Sequence, residues 1–124
     1  MIIKIPLTGW QVSGEEKTSL SMNYYRNWHP QTSNKLKKAV SIYLLKYEFP
    51  KYDKISLEYT LHFKDKRKRD IMNFVSVADK FLLDHLVNQD CLKDDNYDNV
   101  VSYKINPVVL ESDENYLEVK IIDK

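Results

Sequence analysis

Apolar and polar residues alternate in four separate stretches of the chain, and this period of two predicts four β-strands. The first stretch lies within residues 1–9, and the longest runs from Ile55 to Phe63. Two more lie near the end of the chain. The alternating apolar positions are Ile3, Ile5 and Leu7 in the first stretch, Ile55, Leu57, Tyr59, Leu61 and Phe63 in the second, Val101, Tyr103 and Ile105 in the third, and Leu117, Val119 and Ile121 in the fourth.

Two further stretches carry their apolar residues at the spacing of an amphipathic helix. In the first, Ser33 or Asn34 is placed to cap the start, and Pro50 lies just past the end. The second covers roughly residues 70–88, and residues 88–90 are placed to end it. The apolar stripes consist of Leu36, Ala39, Val40, Tyr43, Leu44 and Tyr47 in the first helix, and of Ile71, Phe74, Val75, Ala78, Leu82 and His85 in the second.

The order of these elements, β-loop-α-β-α-β-β, predicts an α+β fold in a single domain that covers residues 1–124. We expect one mixed or antiparallel sheet of about four strands, with two main helices packed on it. Residues 111–115 are interpreted as a hairpin-like connection between the last two strands. Residues 10–32 show no clear period and are interpreted as a long loop, whose aromatic segment 23–29 is either functional or caps the core.

Composition limits the class of protein. Hydrophobic residues make up 43% and charged residues 30% of the chain, as in ordinary soluble globular proteins. The chain has no run of 18 apolar residues, and its start lacks the pattern of a secretion signal, so we expect a cytoplasmic protein without a membrane span. The single cysteine, Cys91, excludes an internal disulfide, and two glycines are too few for a Gly-rich phosphate-binding loop.

Charge is divided unevenly along the chain, although the net charge is only +1. Residues 1–69 contain 14 Lys and Arg against 6 Asp and Glu, whereas residues 70–124 contain 5 against 12. Such a division can place a basic surface beside an acidic pocket. A nuclease needs both, because cations hold phosphates and carboxylates hold a metal ion. The alternative is that the two halves neutralise each other in the fold.

The segment 64–70 is the most informative chemical feature. It places five cations directly before the second helix, and Asp70 opens that helix. As an N-cap, Asp70 would accept backbone N–H groups. A basic segment that leads into a carboxylate also suits the delivery of a phosphate to a bound metal. The five cations are Lys64, Lys66, Arg67, Lys68 and Arg69.

Polar residues of the second helix also share one side. On a helical wheel they occupy an arc of roughly 120° opposite the apolar stripe. Downstream, Asp94 and Asp95 lie in a predicted turn. Carboxylates from a turn and a nearby helix suit Mg²⁺, while a solvated helix face and ordinary turn chemistry are the alternatives. The residues of the arc are Asp70, Asn73, Ser76, Lys80 and Asp84.

The run from Arg69 to Asn73, the run from Lys80 to Leu86 and the pair Asp94-Asp95 together resemble the RusA-type Holliday-junction resolvases. That family has a basic run, an Asp-x-Asp-Asn tetrad, a Lys-x-x-x-Asp-x-Leu segment and an Asp-Asp pair ten residues after the last Asp. The ten-residue interval is kept here between Asp84 and Asp94. The segment 23–26 is similar to the family's N-terminal Asn-x-Tyr/Trp segment.

The resemblance implies a homodimeric, Mg²⁺-dependent endonuclease that makes paired nicks in four-way DNA, with Mn²⁺ as an alternative ion. It implies catalytic roles for Asp70, Lys80 and Asp95, and metal ligation by Asp70, Asp94 and Asp95. Such resolvases are often encoded by bacteria or phages, so we expect activity in the bacterial cytoplasm. DNA contacts are expected from Lys64, Lys66, Arg67, Lys68, Arg69, Asn23, Tyr25 and Arg26.

Two departures from the family pattern concern the metal. Met72 stands where the family has the second Asp of the tetrad, and a thioether is a poor ligand for Mg²⁺. Lys80 lies four residues further from Asn73 than the pattern expects, which is about one helical turn. Either Asp79 or Asp84 is the candidate for the missing oxygen ligand.

Three hypotheses follow. A junction resolvase requires Asp70, Asp94 and Asp95 to converge in space. A catalytically weakened or inactive relative binds junctions through the basic segment without metal-dependent cutting. A small structural or interaction protein instead pairs its acidic and basic halves between subunits.

Overall fold

A computed structural model of the protein describes residues 1–11, 18–22 and 30–124. It confirms the predicted α+β fold, with one mixed four-stranded sheet and two helices. None of the described helices has the length and apolar character required to cross a bilayer. In chain order the elements are β1 (Ile2–Pro6), α1 (Pro30–Leu44), β2 (Ile55–His62), α2 (Ile71–Asn88), β3 (Val100–Ile105) and β4 (Tyr116–Asp123).

The strand order in the sheet is β1-β4-β2-β3. Strand β4 pairs antiparallel with both β1 and β2, whereas β2 and β3 are parallel. The predicted hairpin between β3 and β4 is therefore wrong. Strand β4 alternates buried Leu117, Val119 and Ile121 with more exposed residues, and it lies between two strands that share its buried face. Residues 106–115 carry the chain from the β3 edge back across β2.

The core lies between one face of the sheet and the two helices. Ile3, Ile5 and Leu7 are buried as predicted, and so are the alternating apolar residues of β2 and β4. Strand β3 is different, because its burial pattern shows only Val100 buried. Its apolar side chains lie at the edge of the sheet, where the helices do not fully cover them.

The boundaries of α2 agree with those predicted from the sequence, and those of α1 do not. Helix α1 begins at Pro30, so Ser33 and Asn34 lie inside it rather than capping it. Proline suits the first turn of a helix, because its missing N–H has no intrahelical partner there. Residues 30–32 of the predicted 10–32 loop therefore belong to this helix. Helix α2 follows Asp70 at the N-cap and ends with Gln89 at the C-cap.

His85 joins the two helices. It is buried on the apolar side of α2, as predicted, and its Nδ1 shares a 2.7 Å hydrogen bond with Ser41 Oγ of α1. The ring of Phe49 packs edge-on against the imidazole, with centroids 5.8 Å apart. Burial lowers the pKa of His85, because the surrounding side chains solvate imidazolium poorly.

The stability of the protein should fall as the pH drops from 8 to 5. The unfolded chain takes up a proton near its ordinary pKa of 6.5, while folded His85 resists it, so the stabilisation is present above that pH and is lost below it. Urea unfolding at several pH values measures this dependence. Burial also lowers the pKa of His62, so the effect of His85 is isolated by His85→Asn. We expect a shallower pH dependence in that variant, and an unchanged slope would contradict the assignment.

Candidate nucleic-acid interface

A cleft of about 890 Å³ lies where β2 ends and α2 begins. The basic segment between these elements forms one wall with its cations at positions 66–69, and Asp70 is the single carboxylate among the described residues of the lining. The remaining polar lining is neutral and consists of Thr8, Ser19, Ser21, Asn73 and Asn115. Four cations against one carboxylate make this a site for an anionic ligand.

Asp65 organises the basic wall. Its Oδ1 accepts hydrogen bonds from the backbone N–H of Arg67 at 3.0 Å and from Arg69 Nη2 at 2.9 Å. These bonds, the backbone one above all, lower the pKa of the Asp65 carboxyl. Asp65 was not among the predicted site residues. The i, i+2 spacing to Arg67 is the signal that could have identified it, because Asp often turns the chain in this way.

The cations of the wall have different roles. The guanidinium of Arg69 lies 4.2 Å from the centroid of the Phe63 ring, and the side chain is only 10% exposed, so it supports the wall. Lys66 Nζ pairs with Glu111 Oε1 at 3.0 Å, but both side chains are exposed and the pair is weak. Arg67 and Lys68 are exposed and form no ion pair within the described ranges. Lys64 is exposed outside the cleft lining.

Asp70 stands at the N-cap, but it does not act as a capping acceptor. Its backbone is extended, with φ −79° and ψ 124°, and its side chain makes no cap hydrogen bond. Only its carbonyl oxygen takes part, accepting the N–H of Asn73 at 3.2 Å. The predicted position is therefore confirmed, and the predicted side-chain cap is wrong. The carboxylate is left exposed in the cleft among the cations.

Asp79 belongs to a different environment, between α2 and the sheet. Its two oxygens accept hydrogen bonds from the Tyr59 hydroxyl and, at 3.1 Å, from the Tyr103 hydroxyl. Burial raises the pKa of Asp79 although both phenols favour its charged form, and the charge of Asp95 raises it further. Burial, followed by the charge of Asp79, also raises the pKa of Tyr103. Asp79 thus serves to satisfy a buried phenol.

The other predicted site residues are engaged or exposed elsewhere. Asp84 Oδ2 pairs with Lys37 Nζ of α1 at 3.0 Å, beside a separate cavity of about 240 Å³. The Asp94 carboxylate stabilises its own turn, because it accepts hydrogen bonds from the Asp95 N–H at 2.7 Å and from Asn96 Nδ2 at 3.1 Å. Asp95 and Lys80 are exposed and do not line the cleft. Asn23, Tyr25 and Arg26 lie outside the described residues.

The predicted magnesium ligands do not form one site. Among residues 1–11, 18–22 and 30–124, no three His, Cys, Asp or Glu side chains gather where they could hold a metal ion. The predicted group of Asp70, Asp94 and Asp95 is therefore not found among them. Asp79 is bound to the two tyrosines and Asp84 to Lys37, so neither supplies the missing ligand at Asp70. The described carboxylates of one chain do not fit a Mg²⁺ or Mn²⁺ site.

Comparison with known proteins adds no relative. No protein-family model matches the chain, and no curated protein matches it. The similarity of residues 69–95 to the RusA-type pattern therefore stays a prediction.

The contrast between Asp79 and Asp70 can be tested by stability. Asp79→Ala leaves the buried Tyr59 hydroxyl without its acceptor, so we expect a loss of about 1–3 kcal/mol in the free energy of unfolding. Asp70→Ala removes an exposed carboxylate without a cap bond and should cost less than about 1 kcal/mol. Urea unfolding of the two variants gives both values. Equal losses would contradict the division into a structural and a free carboxylate.

Proposed function

We propose that this protein binds branched DNA through the basic cleft at the start of α2, in the cytoplasm of a bacterium or a phage-infected cell. The observation that carries the proposal is the pair Arg67 and Lys68. Both are exposed on a wall with four cations and a single carboxylate. Phosphates are the ligands that such a surface attracts most strongly.

The wall is organised before any ligand arrives. Asp65 fixes the backbone at Arg67, and Arg69 is held over Phe63, so the segment that carries Arg67 and Lys68 is tied down at both ends. Preorganisation lowers the entropy that binding would otherwise cost. The hydroxyls of Thr8 and Ser21 also line the cleft and would donate hydrogen bonds to phosphate oxygens. The cleft therefore supports recognition of the sugar-phosphate backbone rather than of base sequence.

A homodimer is part of the proposal. A four-way junction has approximate two-fold symmetry, and a symmetric dimer presents two identical clefts to it. Each cleft would then engage an equivalent phosphate of the junction. This arrangement is also what the resemblance to the RusA-type resolvases implies.

The double variant Arg67→Ala/Lys68→Ala should bind a labelled four-way junction at least tenfold more weakly than the wild type. The slope of log K against log salt should fall by about two, because each lysine or arginine on a phosphate contributes close to one unit. Fluorescence anisotropy at several salt concentrations measures both quantities.

The matched control is Lys51→Ala/Lys93→Ala, which removes two exposed cations that do not line the cleft. It should leave the affinity and the salt slope nearly unchanged. Equal losses in the two double variants would show that net charge, not the cleft, attracts the DNA. Binding of linear duplex as tight as that of the junction would contradict the preference for branched DNA.

A second candidate is a Mg²⁺-dependent junction endonuclease, and the position of Asp70 favours it. This carboxylate has no cap bond to give up and stands among cations that would hold a phosphate. Mg²⁺ in nucleases and kinases is commonly bound by one or two carboxylates together with substrate phosphates and water. Among the described carboxylates of one chain, Asp70 alone lines the cleft. This candidate therefore needs oxygen ligands from another source.

Asp70→Asn separates the two candidates. With Mg²⁺ or Mn²⁺, the endonuclease would produce paired nicks in a labelled junction, and Asp70→Asn would abolish them while keeping the junction bound. Asp84→Asn is the control, because its ion pair with Lys37 lies outside the cleft. Tight binding without nicks in the wild type would leave the non-catalytic DNA-binding function as the correct one.

A further inference from the structure

The two edges of the sheet are treated differently. At the β1 edge, the hydroxyl of Tyr47 accepts the backbone N–H of Lys4 at 3.0 Å and lies 3.4 Å from the Lys4 carbonyl oxygen, to which it donates. One side chain thus occupies two backbone groups that could otherwise pair with another strand. Covering an edge in this way is a common protection against strand addition.

The β3 edge has no such cover among the described residues. Strand β3 pairs only with β2, and within residues 1–11, 18–22 and 30–124 no side chain hydrogen-bonds to its outer backbone groups. Its apolar residues Val101, Tyr103 and Ile105 are 44%, 49% and 38% exposed. A six-residue open edge with three exposed apolar side chains is a template for another strand.

The charges around β3 select the direction of an incoming strand. The loop before β3 carries Asp94, Asp95 and Asp98, all exposed, whereas Lys104 is exposed near the other end of the strand. An antiparallel strand from an identical chain would bring its acidic loop beside Lys104. The arrangement is reciprocal, because the two-fold axis produces the same contact on the other side. A parallel strand would instead place the acidic loops together.

We propose that a second copy of this chain pairs antiparallel along β3, so that two four-stranded sheets form one continuous sheet of eight. Ile105 then lies beside the start of the partner's β3, which follows the turn that carries Tyr97. That tyrosine is 86% exposed. The inference rests on the homodimer of the proposed function and identifies the surface through which it forms.

The same pairing brings a second chain towards the cleft. The chain leaves β3 towards the cleft, since Val108 and Leu110 line it. In an antiparallel dimer the acidic loop of the partner approaches this end of β3.

Analytical ultracentrifugation tests the surface without DNA. The wild type should sediment at twice its 14.8 kDa chain mass at micromolar concentration. Ile105→Lys should weaken the dimer at least tenfold and shift the protein to the monomer. Ile2→Lys is the matched control, because it places the same charge on an exposed isoleucine of the β1 edge, 61% exposed. Circular dichroism of both variants verifies that the fold is intact.

A charge exchange tests the antiparallel direction. Lys104→Glu should weaken the dimer, and adding Asp98→Lys to the same chain should restore it, because antiparallel pairing brings Lys104 near the acidic loop of the partner. A monomeric wild type, or a dimer unaffected by Ile105→Lys, would overturn the inference. A dimer that Ile2→Lys dissolves would place the interface at β1 instead.

Dimer formation at β3 and DNA binding at the cleft can be measured separately. Arg67→Ala/Lys68→Ala should remain fully dimeric, because its cations lie on the cleft wall and not at β3. A dimer that binds no DNA would therefore refute the proposed function and leave the β3 interface standing. A monomer that binds junctions would refute the β3 interface and the homodimer, and would leave DNA binding by the cleft standing.

Discussion

The parallel pairing of β2 with β3 is the constraint on which the rest of the structure depends. Parallel neighbours cannot be joined by a tight turn, so the chain must cross the sheet between them, and α2 makes that crossing. The basic segment consequently lies at the start of the helix and the Asp94–Asp98 loop beyond its end. Arg67 and Lys68, at the start of the helix, form no ion pair with that loop among the described residues.

Some charges of the basic half pair with the acidic half of the chain, and others do not. Two described ion pairs, Lys37 with Asp84 and Lys66 with Glu111, do join the basic half of the chain to the acidic half. The remaining cations of the wall are held by Asp65, which belongs to their own half, or stay exposed. Composition could not separate these outcomes, because it says which charges exist and not which are neighbours.

Alternation and helical spacing were sufficient to predict the elements, and insufficient to predict their arrangement. The third and fourth strands show the same alternation in the sequence, yet β4 lies inside the sheet and β3 lies at its edge. A period of two shows that a strand has two different faces, but it does not show how many other strands it pairs with. The hairpin expected at residues 111–115 failed for this reason.

The candidate site shows the same limit at the level of side chains. The wheel placed Asp84 and Asp70 on one arc, but Asp84 is close enough to Lys37 of α1 to be neutralised there, and no pattern along α2 could reveal a partner on another helix. The role of Asp79 was easier to predict from the sequence. Tyr59 is at an inward position of β2, a buried phenol needs an acceptor, and Asp79 lies on the side of α2 away from the polar arc.

Among the described carboxylates, Asp70 alone combines exposure, a cationic setting and the absence of a cap hydrogen bond, so the chemistry of the cleft depends on what joins it. A cleft that holds phosphates needs nothing more than the basic wall. A cleft that cuts them needs further oxygen ligands, and one chain keeps its other candidates in the turn at Asp94, on the Tyr59 hydroxyl or on Lys37. The pairing proposed along β3 would bring the acidic loop of a second chain towards the cleft, because the strand that leaves its edge unpaired also leads into it.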